Sequence, residues 1–206
     1  GAFNWILGGY YQKNKIDVDI QQTSSNQIAF NPADPTDIVI GQNKTTTGLF
    51  AQLGYKIVPQ LELQVGARYS HFKDGSAGNV TIGNGSPFFP PGGLQVADLG
   101  GKHSDGRFTG KIGLNWTPDE NNLVYAFAAR GYKPGGSNGG TSEFRPETVW
   151  DYEAGWKSSF LDNHLRTQVG AFYMSYKDFQ IDSVEPTTGQ GGVHNVSNAT
   201  IKGVEL

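Results

Sequence analysis

A chain of 206 residues with 29 glycines, 12% aromatic and 17% charged residues, no cysteine and one methionine is long enough for one domain, yet it is poor in charge for a soluble surface. The net charge of −3 gives no footprint for nucleic acid, and at a mean hydropathy of −0.44 no stretch approaches the ~20 apolar residues of a spanning helix. Membrane strands escape that exclusion, because about ten residues with a single apolar face suffice and the other face can be polar.

Residues 2–19 place Phe3, Trp5, Leu7, Gly9 and Tyr11 on one phase and Asn4, Gly8, Tyr10 and Gln12 on the other, with Ile6 breaking the polarity, and this period of two predicts a strand. Residues 21–43 lose the alternation, collect Ser, Asn and Asp around Pro32 and Pro35, and predict a long solvated loop. The pattern resumes over 45–57, with Leu49, Ala51, Leu53 and Tyr55 opposite Gly48, Gln52, Gly54 and Lys56. Val58-Pro59-Gln60 turns the chain into a returning strand over 61–72, where Leu61, Leu63, Val65, Ala67 and Tyr69 oppose Glu62, Gln64, Gly66, Arg68 and Ser70. Residues 73–106 are the longest irregular stretch, with a Gly/Pro-rich tip over 84–93. A strand over 108–116, a turn over 118–122 and a returning strand over 123–132 follow, the last with Leu123, Tyr125, Phe127 and Ala129 on the face away from Arg130. Residues 133–141 predict another glycine loop.

Residues 144–181 predict one long hairpin. Trp150, Tyr152, Ala154, Trp156 and Phe160 alternate with Asp151, Glu153, Gly155 and Lys157 in its first arm. In its second, Leu165, Thr167, Val169, Ala171 and Tyr173 share a face, and Leu161-Asp162-Asn163-His164 makes the turn. Residues 185–197 predict a last loop, and 200–206 begin the next strand. Arms of roughly a dozen residues exceed the usual five or six of soluble strands. Connections alternate long and short across about eight strands, the asymmetry of outer-membrane barrels with short periplasmic turns and long extracellular loops. On that assignment Trp5, Tyr55, Trp116, Tyr125, Trp156 and Phe160 fall near one membrane boundary, and Tyr11, Tyr69, Phe108, Tyr132, Trp150 and Tyr152 near the other. Leu7, Val65, Ile112, Phe127, Ala154 and Val169 are then the uncharged mid-strand positions that face lipid. The fold class expected is all-β, an antiparallel transmembrane barrel.

The same residues carry a family likeness. Arg145-Pro146-Glu147, Tyr152-Glu153-Ala154-Gly155-Trp156-Lys157, Ala171-Phe172-Tyr173, Tyr176-Lys177-Asp178-Phe179-Gln180 and Ile201-Lys202-Gly203-Val204-Glu205, in that order, resemble the barrel region of TonB-dependent outer-membrane receptors. Val124-Tyr125-Ala126 with Ala129-Arg130-Gly131-Tyr132-Lys133-Pro134-Gly135-Gly136 resembles the segment just upstream, and Gly66-Ala67-Arg68-Tyr69 an earlier strand. The resemblance implies that residues 1–206 form a contiguous arc of a plugged barrel of about 22 strands. It also implies a plug, an energy-coupling box and further strands that this chain does not contain. The expected function is active import of a scarce solute across the bacterial outer membrane, a ferric siderophore first. The expected partners are outer-membrane lipid, the small-molecule ligand and, through plug and coupling box, the TonB complex.

Arg68, Lys111, Arg130, Asp151 and Glu153, with Lys157, Arg166, Gln52, Gln64, Asn115 and Gln168, fall on the phase expected to line the lumen. They offer a polar wall for a passing solute or for the plug, or simply pair with one another in a wet interior. Arg68 and Arg130 stand out because a guanidinium fork suits anionic groups. Phe88 and Phe89, between prolines, offer an apolar loop tip for extracellular contacts, or a loop packed on itself. His71, His103, His164 and His194 show no metal-ligand spacing, although His71 and His103 flank one loop, and neither a metal nor a cofactor is expected. Gly135-Gly136 and Gly139-Gly140 lack the context of a phosphate loop and read as loop glycines. No nucleophile, base and acid can be grouped, which argues against an enzyme. Three rivals remain: a passive porin or small eight-stranded barrel, a surface-adhesion or structural barrel without transport, and a soluble sandwich.

Overall fold

A computed structural model describes residues 1–23, 35–139, 142–162, 164–184 and 191–206. The period-two segments form β1 (Phe3–Thr23), β2 (Pro35–Val58), β3 (Leu61–Ile82), β4 (Leu94–Asp98), β5 (Gly101–Asp119), β6 (Asn122–Lys133), β7 (Gly136–Gly139), β8 (Ser142–Phe144), β9 (Glu147–Phe160), β10 (Leu165–Val184) and β11 (Gly191–Glu205). Eight of them make one antiparallel path, β1-β2-β3-β5-β6-β9-β10-β11, with β4 laid against β3, while β7 and β8 pair separately. The path is open, since β1 and β11 do not meet.

This is a single layer. Among the described residues no apolar side chain is buried, and Trp5, Leu7 and Phe108 stand 70%, 71% and 72% exposed. Residues directly opposite in neighbouring strands share a face, so the register extends that face across the sheet. Leu7 pairs with Ala51 and Ala51 with Ala67. Further along, Ile112 pairs with Ala128, Ala128 with Tyr152 and Tyr152 with Tyr173. An apolar surface continuous over eight strands needs an apolar solvent, and we call this face outward. Aromatic pairs stud its two margins, Phe3 with Tyr55 and Trp156 with Phe160 on one side (4.6 and 6.2 Å), Tyr69 with Phe108 and Trp150 with Tyr152 on the other (4.8 and 6.1 Å).

The inward face mixes polar groups with rings that cover glycines. Phe50 lies against Gly8 and Phe172 against Gly203, so that a methyl group at Gly203 would come within 2.8 Å of the Phe172 ring. A glycine opposite an aromatic residue gives the ring a flat seat on the neighbouring strand.

Four expected loops prove largely to be strand. Residues 35–43 belong to β2, 73–82 to β3, 94–98 and 101–106 to β4 and β5, and 191–197 to β11, while 136–139 form β7. Pro32 and the rest of 24–34, like 185–190 and 140–141, lie outside the described residues. β1, β2 and β3 run 21, 24 and 22 residues, about twice what a crossing of ~10 residues needs. Where both faces of a strand meet water, the ladder persists by its backbone hydrogen bonds while the apolar alternation that marks a strand disappears. The short turns are as expected. In one of them Leu161 and Asp162 adopt φ of 53° and 52°, the left-handed conformation that suits hairpin twist.

The sequence phase of β6 is reversed. Lys111 pairs with Ala129 and Gly113 with Phe127, while Phe127 opposes Glu153 and Arg130 opposes Trp150. Tyr125 and Phe127 therefore face inward, and Val124, Ala126, Ala128 and Arg130 face outward. Both phases of this strand are apolar, so its alternation does not choose a side. The lone Arg130 suggested a lumen position, but a cation is also tolerated at the membrane rim.

Candidate functional site

The inward wall is built by β3, β5, β6, β9 and β10, each contributing every second residue. Lys111, Asp151 and Glu153 share this face, but cations and carboxylates do not form ion pairs there. Among the described residues the only ion pairs are Lys15 with Asp17, His103 with Asp105 and Arg145 with Asp178. Instead the Lys111 ammonium sits 3.6 Å from the Phe127 ring centroid and that of Lys157 5.3 Å from Tyr125. The Tyr125 hydroxyl donates to the Glu153 carboxylate at 2.6 Å. Asp151 presents a sheltered Oδ1 without a partner. Arg68 is inward as well, its guanidinium 5.6 Å from the Tyr10 ring centroid and its Nε donating to Ser70 Oγ at 2.7 Å. A cation held over a ring keeps its charge available, which an ion pair would cancel.

Arg130 stands apart from this group. Its guanidinium lies 5.9 Å from the Trp150 ring centroid on the outward face, where a long stem in the apolar margin lets the charged end reach the interface.

Above the wall, the connection from β6 to β9 folds back over the inward face. A side chain at Gly101 of β5 would collide with Ser137, and one at Gly135 would come within 2.8 Å of His103 Nε2 and 2.5 Å of the Phe144 carbonyl. These approaches leave no room for a side chain at Gly101 or Gly135. The Gly135 N–H donates to Asp105 Oδ2 at 3.0 Å, and the same oxygen lies 2.9 Å from His103 Nε2. At the far side Asn138 exchanges two hydrogen bonds with the Val193 main chain, both 2.9 Å. The β7–β8 hairpin thus reaches from β5 to β11 across the mouth.

A knot of side chains anchors it. Buried Gln180 donates through Nε2 to the carbonyls of Pro134 (2.9 Å) and Arg145 (3.0 Å), and its own N–H donates to Glu147 Oε2 at 2.7 Å. Asn195 Nδ2 donates to the carbonyls of Arg145 (2.9 Å) and Asp178 (2.8 Å), while its Oδ1 accepts the Arg145 N–H at 2.6 Å. Arg145 closes the ring onto Asp178 at 2.7 Å. Asp178, at φ 55°, interrupts the pairing of β10 with β11, and that interruption frees main-chain groups for the knot. Arg145, Glu147, Asp178 and Gln180 are family-signature positions whose role the sequence did not reveal. Asn138 and Asn195 carried no sequence signal, since their partners are main-chain groups up to 55 residues away.

The remaining candidates separate. His71 opposes Gly106 on the outward face and His103 opposes Asp74 on the inward one, so the two do not meet. Among the described residues no three His, Cys, Asp or Glu side chains converge as for a metal. At the loop tip Phe89 packs over Gly83, which has φ 72°, while Phe88 is 75% exposed.

The model of the family described as TonB dependent receptor-like, beta-barrel matches residues 1–206. The chain belongs to this receptor family. It is 29% identical over 167 residues to the pesticin receptor of Yersinia enterocolitica, covering 78% of this chain and 23% of that protein. To the probable TonB-dependent siderophore receptor PiuA of Acinetobacter baumannii it is 25% identical over 179 residues, covering 78% and 21%. Among solved structures, the ferric yersiniabactin uptake receptor FyuA of Yersinia pestis superposes with a TM-score of 0.72 at 18% identity, over 99% of this chain and 29% of that one. The ferric-catecholate import receptor Fiu of E. coli K12, in its closed form, does so with 0.59 at 14%, over 96% and 35%. These likenesses show the fold: the eight-stranded path is an arc of a larger receptor barrel. The chain spans less than a quarter of the curated relatives' length.

Proposed function

We propose that the TonB-dependent receptor to which this arc contributes sits in the bacterial outer membrane and imports a scarce anionic solute, a ferric siderophore first, using energy transmitted by TonB to a plug. The whole protein on this reading places residues 1–206 within a plugged barrel of about 22 strands. The observation that carries the reading is the inward wall in which Lys111, Lys157 and Arg68 lie over aromatic rings rather than in ion pairs, beneath a hairpin tied across the mouth. Wall cations with uncancelled charge attract an anionic chelate that has passed the hairpin. Asp151 and Glu153 supply acceptors for ligand hydroxyls or for plug donors, and exposed Phe88 offers a first apolar contact. Relatives named as a probable TonB-dependent siderophore receptor and, among solved structures, a ferric yersiniabactin uptake receptor support the ligand class.

The test is uptake of radiolabelled ferric chelates by cells expressing the full-length polypeptide as their sole receptor. Saturable uptake that disappears without TonB, and that falls at least tenfold in Lys111→Glu, is expected. Non-saturable uptake indifferent to TonB would replace this reading by a passive pore.

A further inference from the structure

Two Asn-Gly dipeptides occur in the chain, Asn84-Gly85 and Asn138-Gly139, and the fold treats them oppositely. Glycine after asparagine leaves the following main-chain nitrogen uncrowded, so that it can reach the carbon of the side-chain amide. Two freedoms decide whether it does. The carboxamide must be able to turn toward that nitrogen, and the nitrogen must not be held by an acceptor.

Asn138 lacks the first freedom. Its Nδ2 donates to the Val193 carbonyl and its Oδ1 accepts the Val193 N–H, both at 2.9 Å, so the amide is pinned at both ends. It also lies flat on β11, where a methyl group at Gly192 would come within 2.7 Å of Asn138 Cγ. Asn84 stands instead in the turn that opens the loop tip. The Ser86 N–H closes this turn on the Gly83 carbonyl at 3.0 Å, with Gly83 and Gly85 at φ of 72° and 84°. Such a turn requires glycine at Gly85, and the same glycine leaves Asn84 open to attack. Both residues are exposed, and a methyl group at Gly85 would meet nothing within 4 Å. Among the described residues the Gly85 N–H has no acceptor and the Asn84 Oδ1 no donor. One bond restrains the amide, from Asn84 Nδ2 to Asp37 Oδ2 at 2.8 Å.

We propose that Asn84 is a self-modifying site that converts with age to aspartate or isoaspartate, while Asn138 stays an amide. The Gly85 nitrogen gives up its proton to solvent and bonds to Asn84 Cγ. The former side-chain nitrogen takes a proton and leaves as ammonia, which closes a cyclic succinimide. Water then opens the ring at either carbonyl and leaves one new carboxylate. The product can no longer donate to Asp37, and two carboxylates in place of a hydrogen bond repel. Phe88 and Phe89 hang from this turn, Phe89 packed over Gly83 and Phe88 exposed, so conversion releases the tip from β2.

The test incubates the purified full-length polypeptide in detergent at mildly alkaline pH and digests samples over time. The peptides carrying Asn84 and Asn138 are followed by the mass shift from amide to acid and by enzymatic methylation of isoaspartate. Because Asn138 must first break two hydrogen bonds within a strand, conversion at Asn84 is expected to be about tenfold faster. The same two peptides incubated after digestion should convert at similar rates, which assigns the difference to the fold. Asn84→Gln should abolish the shift at that site, and Asn84→Asp should speed limited proteolysis within residues 84–93 severalfold. Heat-modifiable migration confirms that each variant is folded. Equal rates at the two sites in the folded protein, or an unchanged Asn84 in protein whose free peptide converts, would overturn the site. Parent-like proteolysis of Asn84→Asp would overturn the release of the tip. Neither the solute nor TonB enters this chemistry, so failure of TonB-dependent uptake leaves it standing.

Discussion

The spanning rows and the knot above them are made from the same strands by opposite means. Between Trp150 and Phe160 the pairing of β9 with β10 is unbroken, main-chain groups satisfy one another, and side chains meet only the medium and one another, as Glu153 and Lys157 meet Tyr125. Around Asp178 the pairing skips a residue, and the side chains of Gln180, Asn195 and Glu147 satisfy main-chain groups instead. The difference teaches where this chain tolerates change. Apart from glycines that seat a ring, such as Gly8, Gly155 and Gly203, the wall asks mainly for the right polarity, while the knot needs particular amides at particular places.

Reversing the polarity of one wall position should have the largest effect. Ala154 is outward between Ala126 and Ala171, and Ala154→Arg should cost about 2–4 kcal/mol toward the midplane. Gln64→Arg, inward beside Glu62, should change stability by less than about 0.5 kcal/mol. Urea unfolding of the full-length polypeptide in lipid vesicles checks both, and equal losses would mean that the faces are misassigned.

The knot should respond locally rather than globally. Gln180→Ala removes the donor to the Pro134 carbonyl and leaves the Arg145 carbonyl to Asn195 alone, at about 1–3 kcal/mol. Hydrogen exchange should quicken over residues 134–147 while the β9 and β10 spanning amides keep their protection. Uniform loss of protection would erase the distinction between knot and wall.

A smaller effect is expected from the rim of the knot. Arg145 is 72% exposed, so its pair with Asp178 should contribute only about 0.2–1 kcal/mol. Asp178→Asn keeps a residue that tolerates φ 55°, and a double-mutant cycle with Arg145→Met isolates the charge. A coupling well above that range would show that the pair organises the knot rather than closing it.

The smallest concerns the short turn between β5 and β6, where hydrogen bonds from the Asn122 side chain and then the Asn121 N–H hold the exposed Asp119 carboxyl below its ordinary value. Because the folded value is the lower one, the contribution is present above the ordinary carboxylate range and fades as pH falls through the lowered value. Amide exchange at Asn121, corrected for its intrinsic pH dependence, should lose protection in that window while the knot does not.

Much of this architecture is legible in the sequence because one face of each crossing must be apolar. Trp5, Leu53, Val65, Trp156 and Val169 announce their sides by contrast with their neighbours. Where contrast fails, the reading fails with it. Tyr125 and Phe127 look like lipid-facing aromatics, and only pairing with Glu153 and Gly113 turns them inward. The wet extensions 73–82 and 35–43 look like loops because a strand with water on both sides needs no pattern.

By itself, then, the sequence determined the eight strands of the main path, the short turns between them and the family, since each follows from local polarity or from the order of short motifs. Tertiary structure alone decided the side on which Arg130 lies, the seating of Lys111 over Phe127, and the knot through Gln180 and Asn195. These depend on register between strands. Register is set by cross-strand partners distant in sequence, and a shift of one residue would exchange the two faces.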